Sequence, residues 1–151
     1  MLKRLGAPAR SESGFTLVEL LVVMLILGIL AAIAITAFLN QRDKASDTGA
    51  KSMVRTMQTA EEACNTDNAN TYVGCDLPAL QKNESTIQNT STATPLAPTN
   101  LAQRTFTVSA KSSTNTTFTI DRQSNGLTIR SCDAPNTGGC KKVGTSPTGT
   151  W

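Results

Sequence analysis

The chain has 151 residues, of which 39% are hydrophobic and 17% charged, and its formal net charge is +3. This length suits one domain of ordinary size, and so small a net charge gives no support for a dedicated nucleic-acid-binding site. Histidine is absent, and with it the commonest general base and the commonest metal ligand. The sequence also lacks a glycine-rich phosphate loop and a carboxylate pair placed for a cleft, so we predict no enzymatic activity, catalytic residue, cofactor or metal site.

The first 39 residues combine a short basic and polar segment with a long apolar run. Residues 1–14 contain a proline and a glycine that discourage regular structure, and they are interpreted as a leader peptide. Residues 15–39 are apolar apart from a few positions such as Glu19. As a helix this run would be about 37 Å long, which is enough to cross a hydrocarbon core of about 30 Å. We therefore predict a single-pass membrane helix.

The helix is predicted to continue through residues 40–66 as an amphipathic half, since no proline interrupts it. Its apolar residues recur at spacings of three and four, as on a helix with one buried face: Ala50, Met53, Val54, Met57, Ala60 and Cys64. The charged residues are predicted to lie mostly on the solvent face; they are Arg42, Asp43, Lys44, Asp47, Glu61 and Glu62. Short polar side chains should end the helix between Cys64 and Asn70.

Residues 67–103 are predicted to form a loop between the helix and the strands that follow. The stretch 83–100 has low hydrophobicity and two prolines, so we expect it to lie on the surface rather than in the core.

Residues 104–151 contain three short segments in which apolar and polar residues alternate, the pattern of half-buried antiparallel strands. Their apolar faces consist of Phe106, Val108 and Ala110, then Phe118 and Ile120, then Leu127 and Ile129. Asn125-Gly126 suits a tight hairpin turn before the third segment. The amphipathic half of the helix is the element available to cover this meander. The predicted fold class is therefore α+β, with a long N-terminal helix packed on a small antiparallel β-sheet.

All four cysteines follow the apolar run, which indicates that this side of the chain meets an oxidising compartment. A cysteine-only zinc site is disfavoured because the chain has no histidine and no Cys-x-x-Cys motif. Four cysteines allow three disulfide connectivities. Short loops cost least to close, which favours Cys64 with Cys75 and Cys132 with Cys140. The second bridge would tie down the glycine-rich tail.

Glu19 needs an explanation, because a carboxylate within a membrane segment is costly and usually has a partner. If the chain is cut after Gly14, Phe15 gains a free α-amino group at nearly the same depth. Burying this charge pair between neighbouring helices would relieve both charges.

The segment GFTLVELLVVMLILGILAAIAITAFLNQ, residues 14–41, resembles the N-terminal signature of type IV prepilins and of type II secretion pseudopilins. The basic leader, the glycine, the aromatic residue and the glutamate stand at the family's spacing. The amphipathic helix, long loop, meander and disulfide-tied tail also fit a pilin-like architecture. One position departs from the family: many members have proline where this chain has Thr36, so we expect the helix to stay intact in the subunit.

The resemblance implies cleavage between Gly14 and Phe15 by a prepilin peptidase, N-methylation of Phe15, and use of Glu19 in subunit docking. It implies a precursor anchored in the cell (inner) membrane and a homo-oligomeric helical filament built by the pilus assembly machinery, which becomes an extracellular pilus. The long loop and tied tail look more like adhesive or motility pili than like calcium-binding pseudopilins. We therefore favour a pilus subunit, with a secretion pseudopilin as the alternative, and major and minor pilins stay undistinguished.

Two readings outside this family stay open at the level of sequence. A secretory signal peptide would be cleaved after Ala34 and give a mature chain that begins at Ile35, but its apolar stretch would be shorter and would not contain Glu19. A plain membrane anchor with an outer receptor or scaffold domain would remain a monomer in detergent and would be absent from sheared surface material.

Overall fold

The computed structural model describes residues 14–151, which divide after Phe38 into two compact units. The predicted leader lies outside the described residues except for Gly14. The α+β fold class is confirmed: one long N-terminal helix is followed by a small antiparallel sheet of six strands.

Helix α1 extends from Leu17 to Asp67 and is not interrupted at Gly28 or Thr36. It begins with a capping arrangement, because the backbone N–H of Glu19 donates to Thr16 Oγ1 at 3.2 Å. The hydroxyl of Thr36 donates back to the carbonyl of Ile33 at 2.9 Å, so this polar side chain is satisfied within the helix. The helix is therefore continuous through this region, as expected from the missing proline.

The rest of the chain forms a second helix and a six-stranded sheet in the order β1-β2-β3-β4-β6-β5, with every neighbouring pair antiparallel. The elements are α2 (Leu77–Asn83), β1 (Ala93–Pro95), β2 (Phe106–Ser112), β3 (Thr117–Arg122), β4 (Thr128–Cys132), β5 (Lys141–Lys142) and β6 (Gly149–Thr150).

The predicted apolar face of the amphipathic half of α1 is confirmed, since all six of its named residues are buried. They share one core cluster with the inward side chains of β2 and β3, namely Phe106, Val108, Ala110, Phe118 and Ile120. Each large side chain buried in this way contributes roughly 1.5–3 kcal/mol through the hydrophobic effect. This packing is the main attachment of the helix to the sheet.

The prediction for the third strand was wrong, because Leu127 and Ile129 are 62% and 47% exposed. Strand β4 pairs with β3 so that Ile129 lies opposite Asp121 and Arg130 opposite the buried Ile120. Residues directly opposite each other share a face of the sheet. The register therefore places Arg130, which is exposed, on the face of the sheet that carries Ile120 and places Ile129 on the opposite face, although alternation alone suggested the reverse.

The hairpin that sets this register contains the predicted Asn-Gly turn. Gly126 has φ +85°, and the backbone N–H of Gln123 donates to the carbonyl of Leu127 at 2.9 Å. Glycine adopts this left-handed conformation without a steric cost.

The stretch between helix and sheet is more ordered and more buried than predicted. It contains α2, whose N-cap Asp76 accepts from the N–H of Ala79 at 3.1 Å, and strand β1. The expectation of a surface loop at 83–100 was wrong at Ile87 and Ala93, which are 0% and 3% exposed. These isolated apolar residues complete the core, which local composition did not reveal.

Two disulfides tie this unit together, and they are the two that short loop closure favoured. Cys64 is bonded to Cys75 with a Cα–Cα distance of 6.0 Å, and Cys132 is bonded to Cys140 with a distance of 5.9 Å. The first fixes the end of α1 to the segment before α2, and the second closes the tail loop.

Candidate functional site

The segment from Gly14 to Phe38 presents only exposed residues in its unit. It is part of the one helix, among the described residues, that is long and apolar enough to cross a membrane. An apolar surface of this extent is far larger than the patches that soluble monomers usually expose. It is therefore the first candidate for a functional surface.

The predicted cleavage position lies just before this helix. Residues 14–16 are not helical, and Phe15 is 81% exposed. A Cβ atom added at Gly14 would meet no atom within 4 Å, so packing inside the chain does not explain the glycine. An exposed peptide bond outside the helix, with a small residue on one side, is well suited to a protease.

Glu19 lies in the first turn of α1 and is exposed. A carboxylate at this end of a helix is stabilised by the helix dipole by about 0.3–1 kcal/mol. Within residues 14–151, its carboxylate forms no hydrogen bond or ion pair. The structure thus gives Glu19 a modest local role and leaves its carboxylate available for another molecule.

In the second unit, Asp47 is a buried junction between α1, the turn after β2 and the tail loop. Its carboxylate accepts hydrogen bonds from Ser112 Oγ at 2.8 Å, Thr114 Oγ1 at 2.7 Å and the N–H of Gly139 at 2.7 Å. Lys51, one turn further along the helix, donates to the carbonyl of Gly139 at 2.7 Å. The two side chains hold the loop closed by the Cys132–Cys140 disulfide against the helix.

The tail loop approaches these two side chains closely, and glycine is required at position 138. A Cβ atom at Gly138 would collide with the Asp47 carboxylate, and one at Gly139 would collide with Lys51 Nζ. Gly138 also has φ +51°, a conformation that favours glycine. The glycine pair therefore allows backbone to pack directly on a charged pair.

The prediction that Asp47 and Glu61 lie on the solvent face was wrong, since both are 0% exposed. Asp47 precedes Ala50 by three residues and Val54 by seven, so it falls on the apolar face of the helix. Glu61 follows Met57 by four and precedes Cys64 by three. The spacing therefore carries the signal for burial at both positions, although the residue type is charged.

The neighbouring residues Glu61 and Glu62 have opposite environments. Both carboxyl oxygens of Glu61 are buried without a hydrogen-bond partner. Burial, and to a smaller extent the charge of Glu62, raises the pKa of Glu61 to about 8. Glu62 instead accepts from Arg122 Nη1 at 2.7 Å and from the hydroxyl of Tyr72 at 2.7 Å. Burial and this hydrogen bond raise the pKa of Tyr72 to about 12.

Among the described residues, these carboxylates do not form a metal-binding group. Asp47 is surrounded by donors, and residues 14–151 contain no group of three His, Cys, Asp or Glu side chains that could hold a metal. The charged groups Asp47 and Glu62 of the second unit therefore form hydrogen bonds within the fold. Any functional surface of this unit must consist of exposed residues.

Comparison with known proteins gives a match for the N-terminal part of the chain. Residues 9–35 match the prokaryotic N-terminal methylation motif. The chain is 41% identical over 59 residues to the type II secretion system core protein G of Pseudomonas aeruginosa, an alignment that covers 39% of this chain and 42% of that protein. It is 34% identical over 86 residues to the protein of the same name from Aeromonas hydrophila, covering 57% of this chain and 56% of that protein.

A third relative is the competence protein ComGC of Halalkalibacterium halodurans, with 33% identity over 61 residues, or 40% of this chain and 60% of that protein. The chain thus spans between 42% and 60% of the length of these relatives. No solved structure matches the chain.

Proposed function

Since the chain belongs to the family of pilins and pseudopilins, we propose that it is the structural subunit of a type IV pilus rather than an enzyme. A membrane peptidase would cleave between Gly14 and Phe15, the new terminus of Phe15 would be methylated, and copies anchored in the inner membrane would be assembled into an extracellular filament. The partners in this proposal are other copies of the chain, the prepilin peptidase and the assembly machinery.

The observation that carries the proposal is that every residue from 15 to 39, nearly all of them apolar, is exposed. Such a surface is stable in lipid, and after extraction from lipid it needs equivalent surfaces of other copies to cover it. Helices in lipid gain little from apolar contact alone, so a polar interaction is needed to specify their pairing.

Glu19 is the residue that can supply this polar interaction. Its carboxylate has no partner within residues 14–151, and cleavage after Gly14 would create an α-amino group on Phe15 of every copy. Between adjacent copies these two groups form a charge pair in a medium of low dielectric constant, where leaving either one alone is costly.

The proposal is tested by replacing Glu19 with alanine in the full-length protein expressed in its native cell. We expect normal cleavage and membrane insertion but at least a tenfold loss of sheared surface filaments, because the inter-subunit charge pair is missing. Glu84→Ala is the matched control, since it removes one negative charge from the second unit. Normal filament yield in the Glu19 variant, or equal losses in both variants, would refute the docking role.

A pseudopilus subunit of a type II secretion system is the second candidate, and the names of two of the three relatives favour it. Deleting the protein separates the two candidates. Loss of surface filaments with normal secretion of exoproteins supports the pilus, whereas loss of secretion with filaments unchanged supports the pseudopilus.

A further inference from the structure

A polar pocket of about 280 Å³ lies at the C-terminal end of α1, beside the loop before β2 and the hairpin between β3 and β4. Its wall is rich in amide side chains and also contains two guanidinium groups. These six residues are Asn65, Asn70, Gln103, Asn125, Arg104 and Arg122. They come from three separate segments of the chain, so the fold rather than a local motif assembles the pocket. We call it the amide pocket.

One side of the amide pocket is held in place by contacts within the fold. Arg122 Nη1 donates to Glu62 Oε1 at 2.7 Å, and the guanidinium carbon lies 5.9 Å from the centre of the Tyr72 ring. Tyr72 also lines the pocket and is itself buried. Oδ1 of Asn125 accepts from the backbone N–H of Leu127 at 3.0 Å, which orients the amide. This side of the pocket is therefore formed before any ligand binds.

The remaining polar groups of the amide pocket have no partner in the described part of the chain. Within residues 14–151, no hydrogen bond or ion pair is formed by four of its side chains, namely Asn65, Asn70, Gln103 and Arg104. The nearby Asn68, by contrast, donates to the carbonyl of Val73 at 2.6 Å. Each free amide has two donor hydrogens and an acceptor oxygen. The pocket therefore offers donors and acceptors together to a ligand.

This mixture of donors and acceptors selects among classes of ligand. A hydroxyl group both donates and accepts, so a sugar ring with hydroxyls on adjacent carbons can pair with both ends of an amide. An ionised phosphodiester or sulfate only accepts, and it would leave the amide oxygens without a partner. The pocket volume equals that of about nine water molecules at about 30 Å³ each, which suits one sugar ring.

Arg104 adds a requirement for negative charge on the ligand. The charge of Arg122 is offset by Glu62, whereas Arg104 is exposed and has no acidic partner within residues 14–151. No described residue that lines the pocket is acidic. One carboxylate on the ligand would match this charge, and a guanidinium can bind a carboxylate through two parallel hydrogen bonds.

We propose that the amide pocket binds an acidic polysaccharide through one sugar ring that carries a carboxylate, as in a uronic acid. Arg104 binds the carboxylate in this arrangement. The amides of Asn65, Asn70 and Gln103 bind the ring hydroxyls. The inference does not depend on the proposed role in a filament.

The test measures binding of fluorescently labelled tetragalacturonate to the purified full-length chain by fluorescence polarisation. The detergent is of the polyoxyethylene type, because it has no sugar headgroup that could occupy the pocket. The fully methyl-esterified tetramer is the matched ligand control, since it has the same hydroxyls without the charges. Emission from the single tryptophan, Trp151, which does not line the pocket, reports the fold of each variant.

The first pair of variants tests the charge. Arg104→Gln removes the proposed carboxylate partner, whereas Lys111→Gln removes an exposed positive charge from β2, outside the pocket. We expect the wild type to prefer tetragalacturonate over its methyl ester by at least tenfold, and Arg104→Gln to lose this preference by binding the acid more weakly. Lys111→Gln should keep the preference.

The second pair of variants tests the amides. Asn65→Ala combined with Gln103→Ala should weaken binding of both tetramers at least tenfold, because both ligands present the same hydroxyls. The control combines Asn83→Ala with Asn89→Ala, which removes two exposed amides outside the pocket and should leave both affinities unchanged. None of these four side chains forms a hydrogen bond within residues 14–151, so each variant should fold.

The proposal is overturned if neither tetramer binds, or if the pocket variants and their controls lose affinity equally. It is also overturned if tripolyphosphate displaces the labelled tetramer as well as unlabelled tetragalacturonate does, because the pocket would then recognise negative charge alone. Glu19→Ala should bind tetragalacturonate like the wild type, so a failure of the filament proposal is distinguishable from a failure of this one.

Discussion

The two units of this chain are built on opposite principles. Residues 15–38 are mostly apolar and all exposed, so their structure needs only the intrahelical hydrogen bonds of α1. Residues 39–151 have few large apolar side chains, and their fold also depends on buried charged groups such as Asp47 and on two disulfides. Changes in the first unit should therefore affect processing and assembly, whereas changes in the second should affect stability.

The largest expected effect comes from a change in the first unit that should block processing and leave the fold of the second unit unchanged. We predict that Gly14→Val abolishes cleavage and leaves the precursor in the membrane, because the peptidase must accommodate a branched side chain beside the scissile bond. The control is Gly28→Ala, since a Cβ atom at either glycine meets no neighbour within 4 Å and internal packing is unaffected. Mass spectrometry of the purified protein gives the result, and a terminus at Phe15 in the Gly14 variant would contradict the prediction.

The next effect concerns the junction at Asp47. We predict that Asp47→Ala lowers the free energy of unfolding of the second unit by about 3–5 kcal/mol, since three donors lose a buried charged acceptor. Asp43→Ala changes the same charge on the exposed part of the helix and should have an effect within about 0.5 kcal/mol. Thermal unfolding followed by near-UV circular dichroism compares the variants, and equal stabilities would show that the junction is dispensable.

A third prediction uses the adjacent glutamates. The folded state raises the pKa of Glu61 from 4.5 to about 8, so the folded protein holds a proton that the unfolded chain releases above pH 4.5. Stability therefore falls as pH rises from about 4.5 to about 8 and then levels off. Glu61→Gln removes this loss, and its advantage over wild type should grow across the same window to roughly 1–3 kcal/mol.

Glu62→Gln provides the contrast, because it weakens contacts with Arg122 and Tyr72 and should destabilise the protein at neutral pH. Chemical denaturation at several pH values measures both effects. A pH-independent difference between Glu61→Gln and wild type would contradict the assigned burial.

The smallest effect concerns the outer face of β4. We predict that Ile129→Thr changes the free energy of unfolding by less than about 0.5 kcal/mol, because Ile129 is half-exposed and threonine is also β-branched. The same substitution at the fully buried Ile120 should cost at least about 2 kcal/mol, since it also buries a hydroxyl. Equal losses at the two positions would mean that β4 pairs in the other register.

The sequence was most informative where one physical constraint dominates. Apolar length identified the helix at residues 15–39, and period-three-and-four spacing identified the buried face from Ala50 to Cys64. Strand alternation located β2 and β3 correctly but assigned the wrong face to Ile129. The face of β4 depends on its register with β3, which is set by a hairpin geometry that alternation does not encode.

The buried polar contacts and the stacking of two arginines on Trp151 could not be predicted, because they join distant parts of the chain. Asp47 and Gly139 are 92 positions apart, and no local sequence pattern connects residues at that separation. Arg55, Arg130 and Trp151 likewise come from α1, β4 and the tail.

The unbroken helix around Gly28 and Thr36 has a mechanical consequence for a filament of the kind proposed. A segment that is already unwound can lengthen under tension at little cost, whereas here every added increment of length requires intrahelical hydrogen bonds to be broken first. Filaments of this chain should therefore resist small pulling forces stiffly and then yield at a threshold. Gly28, which weakens the helix by about 1 kcal/mol relative to alanine, is where that yielding should start.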